Sequence, residues 1–221
     1  MSADSRADLP LVHYHAPFTR SGAVRVMIEE LGVPCELQVL NLRKGEHKQP
    51  AYLAINPMGK VPAIVHGDVT VTEAAAIIAY LADAFPGSGL APPIGDPDRG
   101  PYLKWLFFAA AVLEPAIVDV GLEREPGPAS RMGYGTLEAT LATIEKALEH
   151  GPYLLGERFS APDLLLGLAL RWAAMTRAIS PTGHIADYIE RLASRPSVQS
   201  VGRADAELAA RLKAPEPRPV E

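Results

Sequence analysis

Asn56-Pro57-Met58-Gly59-Lys60-Val61-Pro62-Ala63-Ile64-Val65, followed by Thr72-Glu73-Ala74-Ala75-Ala76-Ile77, is the stretch from which the rest of this chain is read. Proline has no N–H to give to a sheet ladder, so Pro62 ahead of a short apolar run is expected at the start of an edge or terminal strand, where an X-Pro bond is free to be cis. Val61 then keeps backbone groups that no neighbouring strand uses. An extended peptide docks on such groups as one more strand, and Glu73 heads a helix whose first N–H groups would hold a carboxylate. The pair of features therefore expects a short peptide with a carboxylate end. Each is ordinary alone, since Val-Pro opens many strands and Thr-x-x-Ala precedes many helices. The order of the surrounding elements is what gives them meaning.

Upstream, residues 9–15 read as a strand, and Val24, Met27, Ile28 and Leu31 fall on one helical face that Gly32 closes. Residues 36–42 alternate as a second strand entered through Val33-Pro34. The helix between them implies a parallel, right-handed crossover. Residues 63–65 and 69–71 form a hairpin through His66-Gly67-Asp68, and Ile77, Tyr80, Leu81, Ala84 and Phe85 stripe a last helix. Strand, helix, strand, hairpin, helix is an α/β thioredoxin-like unit over 9–86, one mixed sheet with helices on both faces. Residues 87–97 are a linker rich in proline and glycine. Residues 98–213 read as an all-α helical bundle, with apolar stripes at 102–120, at Leu137, Leu141, Ile144 and Leu148, and at Leu165, Leu168, Trp172 and Met175. Ser160-Ala161-Pro162-Asp163 is a helix-capping signature that serves folding, not chemistry. Residues 1–8 and 214–221 have the composition of unstructured tails.

From about residue 9 to about residue 212 the chain resembles a glutathione S-transferase. Tyr14-His15-Ala16-Pro17, Glu29-Glu30-Leu31-Gly32, 55–62, 72–77 and Phe159-Ser160-Ala161-Pro162-Asp163 carry the resemblance, and 102–108 resembles the fourth helix of bacterial members. The resemblance implies an enzyme that ionises the thiol of glutathione, as co-substrate, for attack on a small hydrophobic electrophile. It implies that Val61 and the adjoining Pro62 pair with the cysteinyl moiety, that Glu73 and Ala74 anchor the γ-glutamyl end, and that His47 and Lys60 approach the glycine carboxylate. Family members commonly carry serine after the acidic residue. Ala74 lacks that hydroxyl, and a hydrogen bond to a charged group is worth roughly 1.5 to 3 kcal/mol.

The thiol-activating residue stands near the start of the first helix in this family, and that window here is Pro17-Phe18-Thr19-Arg20-Ser21-Gly22, without cysteine. Lowering a thiol pKa from about 8.5 to about 6.5 means preferring thiolate by roughly 2.7 kcal/mol, within reach of one or two donors aimed at the charge. Thr19, Arg20 and Ser21 each qualify, and one of the two hydroxyls is expected merely to cap the helix. Phe18, Tyr102, Trp105 and Phe108 are candidates for the electrophile's wall. Alternatives on the same fold are a glutathione-binding scaffold without turnover, and a glutathione-dependent isomerase, dehalogenase or peroxidase.

The composition fits a soluble enzyme: 221 residues, 48% hydrophobic, 21% charged, net charge −5. No basic cluster points to nucleic acid. The apolar run 105–113 is too short to span a bilayer, and Met1-Ser2-Ala3-Asp4-Ser5-Arg6 has no signal-peptide character, so the expected location is the cytoplasm. The single cysteine, Cys35, excludes disulfides and a cysteine metal cluster, suits a reducing compartment, and reads as structural. The resemblance implies a homodimer and a role in detoxification.

Overall fold

Alternation sends Leu11, His13 and His15 to the buried face of the first strand, β1 (Leu11–His15). The structure is a computed structural model and describes residues 8–125, 127–128 and 130–213; the tails expected at 1–8 and 214–221 lie outside these, apart from Asp8. After β1, α1 (Ser21–Leu31) buries Val24, Met27 and Ile28 on one face. It ends at Gly32, whose φ of +64° and N–H bond to the Ile28 carbonyl close the last turn. The crossover returns the chain to β2 (Glu36–Val39), parallel to β1 with Val12 opposite Glu36. A short helix, α2 (Pro50–Leu53), follows. Then come β3 (Ala63–His66), β4 (Val69–Thr72) and α3 (Ala74–Ala84). The sheet order is β2-β1-β3-β4, with β3 antiparallel to both neighbours. This is the expected thioredoxin-like sheet.

Three local details differ from the sequence reading. The second strand stops at Val39 instead of running to 42, because the Asn41 side chain accepts the N–H groups of Arg43 and Lys44 at 3.1 and 3.3 Å and bends the chain into a 3₁₀ turn. The hairpin loop is Gly67-Asp68 alone, since His66 pairs with Val69; Gly67 supplies the positive φ, +60°, that the tight turn needs. Pro62 does not begin an edge strand. β3 is an interior strand, and the proline sits one residue before the first paired residue, Ala63, where no ladder bond is asked of it. The Val61–Pro62 bond is cis.

The second domain is helical. α4 (Arg99–Phe108) passes through a π-helical turn, Ala109–Leu113, into α5 (Glu114–Gly121). Pro115 has no N–H for the Ala111 carbonyl, and the Glu114 N–H bonds five residues back to Ala109, so the ladder widens instead of breaking. Next come α6 (Leu137–Leu148), α7 (Ala161–Met175), α8 (Gly183–Ala193) and α9 (Pro196–Lys213). At the start of α7 the buried Asp163 carboxylate accepts Ser160 N–H and O–H at 2.8 and 2.9 Å, Leu154 N–H at 2.9 Å and Tyr188 O–H at 3.0 Å. Burial pushes Asp163 up, and these four donors oppose the push. Further along, α7 and α8 approach so closely at Gly167 that a Cβ there would stand 1.8 Å from Leu192 Cδ1.

Two apolar clusters hold the chain. One lies inside the bundle; the other joins Val24, Ile64 and Ile77 of the sheet domain to Tyr102, Leu164 and Val198 of the helices. The domain boundary is thus packed core, and it fixes what stands across the cleft beside it. Among the described residues, no helix is long and apolar enough to cross a membrane.

Candidate functional site

A cleft of about 490 Å³ opens between the sheet domain and the bundle. Its floor is the loop into β3. Tyr52 O–H and Asn56 Nδ2–H both donate to the Lys60 carbonyl, at 2.5 and 2.8 Å, which holds that loop against its base. Neither the N–H nor the C=O of Val61 has a backbone partner among the described residues. Gly59, at φ +58°, packs so close to the 3₁₀ turn Glu46–Lys48 that a Cβ there would lie 2.7 Å from the His47 carbonyl. Only glycine lets that turn come alongside the floor, and His47 lines the cleft as a result. The His47 Nδ1 is buried and has no hydrogen-bond partner among the described residues.

At one end of the floor stands the start of α3. No side chain caps it, so the first amides of an eleven-residue helix face outward beside Glu73, Ala74 and Ala75, all of which line the cleft. Glu73 has φ +68°, a left-handed conformation that costs a non-glycine residue about 1 to 3 kcal/mol and that gathers at functional sites. Phe18, at φ +59°, is another of the four such non-glycine residues among the described ones, and it too borders this region.

The start of α1 forms the far end. Thr19 and Arg20 line the cleft. The Thr19 hydroxyl donates to the Ala16 carbonyl at 2.8 Å and accepts the Ser21 N–H at 3.2 Å, so its proton is already used in shaping the turn. The Arg20 guanidinium reaches across to α5, where both Nε and Nη2 bond Glu114 Oε1, the Nε at 2.6 Å. It also lies 4.8 Å over the Trp172 ring. Half-exposed ion pairs of this kind are worth about 0 to 1 kcal/mol, so the pair aims the guanidinium more than it stabilises the fold. Ser21 is a correction to the sequence reading as a thiol donor. It is fully buried, does not line the cleft, and bonds His15 Nδ1 at 2.8 Å and His13 Nε2 at 3.0 Å.

Of the aromatic residues expected at the cleft, three stand elsewhere. Tyr102 is buried in the core shared by the two domains, Trp105 is buried in the bundle core, and Phe108 packs edge-on against Trp105 at 5.1 Å; none of the three lines the cleft. The bundle side of the cleft is formed by Ala109 and Ala110 of the widened turn and Glu114 of α5, with Leu165 and Ala169 of α7. Of the four, Phe18 alone borders this region, 69% exposed. With Leu168 and Trp172 it encloses a smaller apolar slot that shares Thr19, Arg20 and Glu114 with the main cleft. Cys35 lies elsewhere, half-buried, and burial pushes its thiol up to about 11. The places of Glu114 and Trp172 beside Arg20 are not legible in the sequence, because they depend on how α5 and α7 come up to the start of α1. The proline at 115, after a run of alanines, was the available signal for the turn.

Comparisons with known proteins agree with this architecture. A family model described as "Glutathione S-transferase, N-terminal domain" matches residues 9–83, and one described as "Glutathione S-transferase, C-terminal domain" matches residues 71–191. The chain is 31% identical over 195 residues to glutathione S-transferase GstA of Escherichia coli O157:H7, covering 87% of this chain and 97% of that protein. Its structure is similar to a glutathione transferase from Methylococcus capsulatus, with a TM-score of 0.75, 30% identity and coverage of 89% and 99%. It is also similar to a glutathione transferase homologue from Sulfitobacter solved with bound glutathione, with a TM-score of 0.73, 28% identity and coverage of 89% and 98%. The chain belongs to the glutathione S-transferase family.

Proposed function

We propose that this protein binds glutathione in the cleft and ionises its thiol for attack on a small hydrophobic electrophile held against the bundle. The observation that carries the reading is the meeting, in one cleft, of the open Val61 backbone, the uncapped α3 start with Glu73, and the Arg20 guanidinium. The cysteinyl unit pairs with Val61 as an added strand, next to the cis Pro62. The γ-glutamyl carboxylate meets the amides at Ala74 and Ala75, and Glu73 takes the α-ammonium. His47, through its unpartnered Nδ1, and Lys60 serve the glycine end. Sulfur is then directed toward Thr19 and Arg20. Of the proposed donors, Thr19 has spent its proton on Ala16, whereas Arg20 keeps Nη1 unclaimed among the described residues. Arg20 is therefore the group that stabilises the thiolate.

The thiol proton leaves to solvent, the sulfur lone pair forms a C–S bond, and the electrophile's leaving group departs with its electron pair. The electrophile lies against Ala110, Leu165 and Ala169 and extends into the slot beneath Phe18 and Trp172. Homodimer formation in a reducing cytoplasm belongs to the same reading. It is supported by Leu103 and Phe107, large apolar side chains left exposed on α4, and by the free thiol of Cys35.

The test is the ultraviolet absorbance of bound glutathione thiolate against pH, with calorimetric affinity alongside. Wild type should ionise the thiol well below its free value. Arg20→Gln should raise the bound thiol's pKa by one to two, the equivalent of a charge-assisted hydrogen bond of about 1.5 to 3 kcal/mol. No binding, or binding without ionisation, would sink the proposal; an unchanged titration in Arg20→Gln would remove Arg20 from it.

A further inference from the structure

Behind the start of α1, away from the cleft, a chain of buried polar groups crosses from the sheet domain to the last helix. Asp205 of α9 bonds His15 Nε2 at 3.0 Å and Arg25 Nη1 at 2.5 Å. His15 Nδ1 bonds Ser21 Oγ, and Ser21 Oγ bonds His13 Nε2. His13, His15 and Ser21 are fully buried. The His13 Nδ1 has no partner among the described residues.

That pattern assigns the protons. The Asp205 carboxylate accepts from His15 Nε2–H, His15 Nδ1 accepts from the Ser21 hydroxyl, and Ser21 oxygen accepts from His13 Nε2–H. The single unpartnered atom is then a bare ring lone pair. The reverse order would strand an N–H at that position, and buried donors without a partner are the rarer defect. Burial above all brings His13 down to about 3, so it is neutral and limited to one N–H.

The chain ends at the place the thiol site needs held. The N-cap residue of α1, Arg20, makes no side-chain capping bond. Its first turn is knitted to Ser21 and its neighbours: Thr19 Oγ1 accepts the Ser21 N–H, and the Thr19 carbonyl accepts the Gly22 N–H at 3.0 Å. At the other end of α1, the start of α9 and the residue just before it make a separate clamp. Arg195 bonds Glu30 at 2.8 and 2.7 Å, and Ser197 donates to the same carboxylate. The last helix thus grips the first at both ends, and only one grip leads to the cleft.

We propose that Asp205 and His15 are positioning residues for the thiol site, fixing Thr19 and Arg20 through the buried Ser21 hydroxyl. The inference rests on the function proposed above. It assigns to α9, at sequence distances of 190 and 180 residues from its partners, a role in sulfur chemistry that no group on α9 performs by contact.

The experiment compares Asp205→Asn and Ser21→Ala with Glu30→Gln, which weakens the other grip. The readouts are bound-glutathione thiolate absorbance against pH, calorimetric affinity and thermal midpoint. Ser21→Ala removes a single hydroxyl and keeps the test alive should loss of the buried carboxylate prevent folding. In both network variants the thiolate fraction at neutral pH should fall about tenfold, while glutathione affinity, set by Val61, Glu73 and His47, should stay within about threefold. Glu30→Gln should lower the thermal midpoint and leave the thiolate titration where it was. An unchanged titration in Asp205→Asn and Ser21→Ala, or an equal change in Glu30→Gln, overturns the positioning role. Wild type that binds glutathione without ionising it overturns the proposed function and this inference together, and wild type alone shows which has failed.

Discussion

Acid should weaken this fold in a window set by His13. Its ring is fully buried, bonded to Ser21 at 3.0 Å and 5.4 Å from the His15 ring. Burial first, then repulsion from His15 and Arg25, lowers its pKa from 6.5 to about 3, against a smaller pull from Asp205. Between those values the unfolded chain takes up a proton there and the folded chain does not. Stability from this group is therefore complete above pH 6.5 and is lost as pH falls, at close to 1.4 kcal/mol per pH step in the middle of the window. From pH 6.5 to 5 the cost is about 2 kcal/mol, a large share of the 5 to 15 kcal/mol that holds a typical domain. Asp205 and Glu30, each pushed up by burial but held below its ordinary value by hydrogen bonds from His15 and from Arg195, add loss of the same sign below about pH 5. Urea unfolding at pH 7.5, 6.5, 5.8 and 5.0 measures the slope. His13→Gln keeps a donor for Ser21 and cannot titrate, so between pH 6.5 and 5 wild type should lose about 2 kcal/mol more than the variant. Parallel pH profiles for the two proteins would refute the burial argument.

Two further substitutions probe the site and its frame. Ala74→Ser restores a hydroxyl beside the open amides of α3, and glutathione affinity by calorimetry should tighten about tenfold, the equivalent of roughly 1.4 kcal/mol; an unchanged or weaker affinity would mean that the γ-glutamyl carboxylate does not lie there. Gly167→Ala would gain about 1 kcal/mol of helix propensity, but its methyl would meet Leu192 at 1.8 Å, so a net loss of about 1 to 3 kcal/mol is expected in urea unfolding, and a more stable variant would contradict the packing described for α7 and α8.

The sheet domain was legible because its signals are local. Apolar alternation, helical spacing and the glycines at 32 and 67 each act within a few residues of where they stand. The same holds for the cleft floor, where Val61, Pro62, Glu73 and Ala74 follow from one loop and one helix start. What was not legible depends on distance or on a shifted register. Tyr102, Trp105 and Phe108 carry the right chemistry for a substrate wall, yet the stripe they form is the one the two cores consume. Ser21 looks like an exposed cap in the local pattern, and only Asp205, far along the chain, reveals why it is buried. A hint was present: His13 and His15 both fall on the inward face of β1, and buried imidazoles must find partners.

The widened turn at Ala109–Leu113 bears on how substrate range drifts over evolutionary time. It faces the opening with the bare methyls of Ala109 and Ala110, and of these Ala110 is exposed while Trp105, one turn back, stays buried in the bundle core. A bulkier residue at 110 would grow into empty space and leave the packing of Trp105 and Leu113 untouched. The breadth of the cleft at this turn is thus uncoupled from folding, and on the proposed function a lone codon change here would retune selectivity without eroding the scaffold.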